Sequence, residues 1–169
     1  MAYTQVNPVL GFPKINATST APWQGGQSSQ LPPLGTIIQG VDPTYGMGEF
    51  IFLKGVASTA VGSWVAYFPD DWSTVLLVAD QKGPVAVSMS ANVALGYGWY
   101  QISGKAVGLA LASYADNALV YTTGTPGSVD DTVIAGERVK NAIGASTIVG
   151  AGLAEFEINR PFVDDGSAT

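Results

Sequence analysis

The chain has 169 residues, enough for one ordinary domain with a real core or for a smaller domain plus an arm, and it contains neither cysteine nor histidine. Those absences exclude disulfides, thiolate nucleophiles, Ser-His-Asp triads and histidine-bound zinc, which leaves only carboxylate or lysine chemistry for an enzyme. Seven scattered basic residues against thirteen acidic ones, a net charge of −6, supply no basic patch for nucleic acid.

The first 34 residues differ from the rest. The opening Met1-Ala2-Tyr3-Thr4-Gln5 has neither the basic start nor the apolar segment of a signal peptide. Pro8, Pro13, Pro22, Pro32 and Pro33 interrupt any regular element, and residues 18–30 are polar, uncharged and glycine-rich. Phe12 and Trp23 stand along this stretch as isolated anchors. Residues 1–34 therefore read as an extended arm that orders by laying Phe12 and Trp23 on a neighbouring subunit, the alternative being a disordered tail. On this reading, removing the arm leaves a folded domain over 35–169.

From residue 34 onward, short runs of β-branched and aromatic residues alternate with Gly, Pro and Asp. The runs predict strands over 36–41, 49–54, 62–68, 73–78, 85–89, 97–102, 106–112, 118–122 and 154–159. Asp42-Pro43, Pro69-Asp70-Asp71, Lys82-Gly83-Pro84 and Thr125-Pro126-Gly127 supply the turn chemistry between them. No segment sustains a 3.6-residue apolar period, so only a short helical turn is expected, around 114–117. The fold class is all-β: a β-sandwich or barrel-like domain of short antiparallel strands behind an extended N-terminal arm.

Individual strands carry further information. Over 49–54, Phe50 and Phe52 fall on one face and Ile51 and Leu53 on the other, as in a central strand or one at a subunit contact. Trp64, Tyr67, Phe68 and Trp72 cluster in sequence, as do Tyr97, Trp99 and Tyr100. Phe50, Phe52, Trp64 and Trp99 are the candidate core or oligomer contacts. Were Trp64, Trp72 or Trp99 exposed, they would instead stack on sugar rings, as in a carbohydrate-binding module. The doublets Asp70-Asp71, Asp130-Asp131 and Asp164-Asp165 read as turn residues ahead of a weak calcium site or a hydrolase pair. Gly46-Met47-Gly48 and Gly96-Tyr97-Gly98 are lone glycine pairs that complete no phosphate-binding fingerprint. No cofactor and no metal are expected.

Only 12 % of residues are charged, about half the usual share, while 47 % are hydrophobic and the mean hydropathy is positive at +0.25. No apolar run approaches the roughly 18 residues of a membrane-spanning helix. Burial in an assembly is the better account of such a surface.

The second half of the chain also carries an ordered set of motifs. Gly98-Trp99-Tyr100-Gln101-Ile102-Ser103-Gly104 contains a W-x-Q-x-x-G pattern. It is followed by Ala115-Asp116-Asn117-Ala118, Gly124-Thr125-Pro126-Gly127, Gly136-Glu137-Arg138-Val139 and Gly152-Leu153-Ala154-Glu155-Phe156, the last running to Val163. In this order the pieces resemble the C-terminal half of tailed-phage capsid decoration (cement) proteins, over residues 48–163 and most clearly 96–163. The resemblance implies a non-enzymatic β-rich protein, a homotrimer on the capsid exterior, with the major capsid protein and itself as partners. On that reading Phe12 and Trp23 are anchors to the capsid or to a neighbouring subunit. It implies no catalytic site, no nucleic-acid partner and no membrane partner. A tail-tube protein or another virion component is the alternative within the same class.

Overall fold

The computed structural model describes residues 1–7, 12–18, 32–92, 94 and 96–164. They form an all-β structure with no helix among the described residues. The strands are β1 (Thr4–Gln5), β2 (Ile37–Asp42), β3 (Gly46–Lys54), β4 (Trp64–Phe68), β5 (Ser73–Leu76), β6 (Lys82–Ser88), β7 (Tyr97–Leu109), β8 (Leu119–Thr122), β9 (Val129–Asp130), β10 (Arg138–Gly144) and β11 (Leu153–Asp164). All belong to one mixed sheet in the order β1-β2-β3-β5-β4-β6-β7-β11-β10-β8-β9, with β3 also paired to β7 and β6 to β11. The turn expected over 114–117 is not helical. Ser113 and Asn117 carry φ values of 72° and 57°, and two left-handed residues so close reverse the chain instead of winding it.

The extra pairings close the sheet on itself. Strands β3, β7, β6, β4 and β5 form a complete circuit, antiparallel except where Lys54 meets Ser73 in parallel. Ile51, Leu53, Val65, Ala86, Tyr100 and Ile102, drawn from four of its five strands, form one cluster, and Leu76 of the fifth packs on it. They are the filling of a small barrel. A second and larger cluster uses the other face of β4 and β6, the far half of β7, and β8 through β11, with Trp64 and Phe156 at its centre. The third lies outside β3 and β7, where Phe50, Phe52 and Trp99 meet Tyr3 and Ile15 from the N-terminal segment.

Strand β7 links these clusters, and two predicted runs, 97–102 and 106–112, are its two halves. Its first half pairs with β3 (Leu53 with Gly98, Phe50 with Gln101), and residues Ser103–Leu109 pair with Leu153–Asn159 of β11. Gly104 at the join has φ 95°, and a Cβ there would lie 2.3 Å from the Met47 carbonyl oxygen. Both the backbone conformation and the approach of β3 require glycine. Gly104→Val is therefore expected to destabilise the fold by roughly 3 kcal/mol or more, read as a lower urea midpoint, because neither backbone can give way cheaply.

Strand β10 is absent from the predicted set, and the reason is a bulge. Val139 and Ala142 are both buried although three residues apart, because β10 carries excess residues against β8, where Arg138 meets Tyr121 and Ile143 meets Leu119, and Asn141 (φ 59°) lies in that excess. The alternation that announces a strand is therefore broken in Arg138–Gly144. Arg160 (φ 50°) plays the same part in β11, where pairing passes from β7 at Asn159 to β6 at Phe162.

The described parts of 1–34 do not stand off from the domain. Thr4 and Gln5 add a strand beside Val41 and Gly40 of β2. Tyr3 and Ile15 are buried, and the Tyr3 hydroxyl donates to the Lys105 carbonyl at 2.7 Å. The Trp99 indole N–H donates to the Pro13 carbonyl at 3.1 Å, and Phe12 packs beside the same indole. The two apolar faces of β3 thus have a physical account: one fills the barrel, and the chain's own N-terminal segment covers the other.

Candidate functional site

The residues singled out from sequence fall mostly in the core. Phe50, Phe52, Trp64 and Trp99 are all 0 % exposed. Phe52 and Trp99 touch with ring centroids 5.0 Å apart, and Trp64 meets Phe156 edge-on at 5.0 Å. Trp72 is partly buried against the barrel cluster beneath Gly35, where a Cβ would strike its ring at 2.5 Å. Phe12 is in contact with its own chain, and Trp23 lies outside the described residues. Neither Trp64 nor Trp99 offers a ring face to a sugar.

The acidic doublets are spent on loop geometry. Asp71 accepts from the Ser73 N–H and hydroxyl, and those bonds hold its carboxyl below the usual range. Asp130 accepts from the Thr132 hydroxyl, and Asp131 accepts the Ala115 N–H at 2.9 Å. Asp164 pairs with Lys140, and Asp165 is outside the described residues. No group of three or more Asp or Glu that could hold a metal is found among the described residues.

Two carboxylates outside the doublets, Glu137 and the turn residue Asp42, are buried. Glu137 accepts from the Thr122 hydroxyl and from the Asp80 N–H at 2.8 Å, tying the start of β10 to β8 and to the loop before β6. Asp42 accepts from the Ala2 N–H at 2.6 Å, the Thr44 N–H at 2.7 Å and the Tyr45 N–H at 3.1 Å. Burial alone would raise its pKa, but the three amide donors outweigh it and the net direction is downward. A carboxyl whose folded pKa is depressed adds stability above its unfolded pKa and loses it as pH falls through the folded value. The link between the N-terminal segment and β2 is thus expected to weaken below about pH 4. Amide protection factors at Thr4–Gln5, taken relative to the intrinsic exchange rate at each pH, check this: they fall on acidification in the wild type, and in Asp42→Asn they are already low at neutral pH with a flatter pH response.

Among the described residues, the most exposed large apolar side chain belongs to none of these sets. It is Val133, 75 % exposed, at the tip of the 131–136 loop beside Ile134 at 46 %. Two adjacent aliphatic residues behind an acidic doublet, outside any alternating run, were the available signal. Clefts open elsewhere on the surface of the described residues, and two of them are the larger. One, of about 580 Å³, is floored by Tyr3 and Ile15 and edged by Phe12, Lys14 and Ala17. The other, shallower, lies over β7, β8, β10 and β11 between Lys105, Arg138, Asn141 and Glu157. Neither gathers a nucleophile with a base. Among the described residues no helix is long and apolar enough to cross a membrane.

Compared with known proteins, the chain matches no family model, no curated protein and no solved structure.

Proposed function

We propose that this chain is a structural virion protein that binds the outside of a tailed-phage capsid as a homotrimer and stabilises the shell, with the major capsid protein as its partner. The observation that carries the reading is the placement of the motifs over 96–163. They occupy β7 through β11 and the loops between, one contiguous ladder in which Ser103–Leu109 run against Leu153–Asn159. A resemblance spread over one structural unit has more weight than the same pieces scattered through a fold. The carboxylates described above, committed to turns and to backbone amides, agree with a mechanical role. Each trimer would contact several shell subunits at once, so that separating them requires many contacts to break together.

The test pairs native mass measurement with co-sedimentation on undecorated capsids of the virus that encodes the chain. The expected result is a trimer that pellets with the shells and raises the temperature at which they rupture. A chain that stays in the supernatant at every concentration sinks the reading. Glycan affinity lost on Trp72→Ala would point instead to a carbohydrate-binding module, although burial of Trp64 and Trp99 removes two of its three platforms.

A further inference from the structure

We propose that the 131–136 loop is a docking knob, and that its seat is the cleft over the N-terminal segment of a second copy of this chain. The knob is built rather than loose. Its tip holds Val133 and Ile134 in solvent while hydrogen bonds fix its feet: Glu137 N–H to the Ile134 carbonyl at 3.2 Å, and Ala115 N–H to Asp131 at 2.9 Å. Buried Glu137 clamps the far foot through the Asp80 N–H. A loop already held in one shape loses little freedom on binding, so its two aliphatic side chains are available for affinity.

The cleft is complementary in shape and in charge. Its volume of about 580 Å³ lies in the range of ligand-binding sites, and its accessible apolar lining comes from Ala2, Phe12 and Ala17 above a floor of buried Tyr3 and Ile15. Lys14 stands exposed at its edge, whereas Asp130 and Asp131 lead into the knob and Asp80 lies at its far foot, bonded through its N–H to Glu137, with the cation Arg138 following. An acid-rimmed apolar tip fits an apolar cleft with a cationic edge, and like charge opposes the alternative of an anionic membrane. Knob and cleft share no residue and sit beside different core clusters, so the contact joins two different patches; repeated head to tail and closed after three copies, it gives the homotrimer of the proposed function. The inference rests on the self-association in the proposed function and is independent of capsid attachment.

Native mass measurement across a concentration series tests it with four samples. The wild type is expected at three times 17.4 kDa, about 52 kDa. Val133→Ser/Ile134→Ser, which removes the knob, and Lys14→Glu/Ala17→Trp, which fills the cleft, are each expected to be monomers with unchanged circular dichroism. Their association is expected to weaken at least about a hundredfold, roughly tenfold for each aliphatic side chain left in water. Mixing the two variants restores one knob and one cleft, and a one-to-one dimer forms. Variants that keep the wild-type mass overturn the inference, as does a mixture that stays monomeric. Variants that keep the mass but no longer pellet with capsids place the knob on the shell and overturn it equally. A wild type that assembles but ignores capsids removes the decoration reading alone, whereas a monomeric wild type removes the trimer and this contact together.

Discussion

Deletion of residues 1–18 is expected to destabilise the whole domain by at least about 3 kcal/mol, and the product should bind hydrophobic dyes and aggregate. The sequence reading of 1–34 as an arm pointed the other way, to a truncated chain that folds normally and only attaches less well. Packing decides between them. Tyr3 and Ile15 are buried, and Phe12 covers part of Trp99. Burying those three side chains is worth roughly 5 kcal/mol, of which ordering the segment returns a part. Their removal also bares Phe50, Phe52 and Trp99, fully enclosed in the intact chain, and takes the Pro13 carbonyl from the Trp99 indole. Urea unfolding of the deletion and of Tyr3→Ala/Ile15→Ala checks the point: both midpoints fall together if the segment is part of the core. A deletion as stable as the full chain would restore the arm.

Phe156→Ala is expected to cost about 3–5 kcal/mol, as for other fully buried aromatic truncations. Phe156 stands between Trp64 and Tyr114, with ring centroids 5.0 and 5.2 Å away, both edge-on. It lies on β11 opposite Ala106 of β7, beside Gly108, where a Cβ would sit 3.3 Å from the Phe156 ring, so the void would open against two residues too small to fill it. Small neighbours cannot fill it: Ala106, Ala110 and Ala154 belong to the same cluster. Near-ultraviolet circular dichroism should report the loosening of Trp64. The Tyr114 hydroxyl, whose pKa burial raises with a contribution from nearby Asp131 and Asp130, should titrate lower as water enters. An unchanged urea midpoint would show that this cluster does not hold the two halves of the sheet together.

Nearly all the longer strands were legible because their cue is local. The short run of apolar residues in 49–54, the alternation of Ala154, Phe156 and Ile158 with Glu155, Glu157 and Asn159, and the Pro, Gly and Asp between runs follow from strand geometry and turn chemistry. Strand β10 was not legible, since its bulge against β8, around Asn141, shifts Val139 and Ala142 out of phase. The union of two runs into β7 was hidden for a related reason. Gly104 looks like a terminator in sequence, yet its positive φ carries the strand through a bend against Met47. The surface features were less legible still. The acidic doublet before Val133 and Ile134 is a weak cue beside packing, which leaves Val133 exposed while Val129 and Val139, close on either side, are buried.

By itself the sequence determined the class of the molecule: an all-β chain without the residues for thiol or imidazole chemistry, and with too few charges for an ordinary surface. These follow from composition and short-range periodicity, which need no knowledge of what packs on what. Only the tertiary structure decided where each apolar face goes. It sent Ile51 and Leu53 into a barrel, placed Phe50 and Phe52 under the chain's own first residues, and left Val133 and Ile134 in water. The physical reason is that burial depends on partners distant in sequence: Tyr3 and Lys105, joined by a hydrogen bond, lie more than a hundred residues apart.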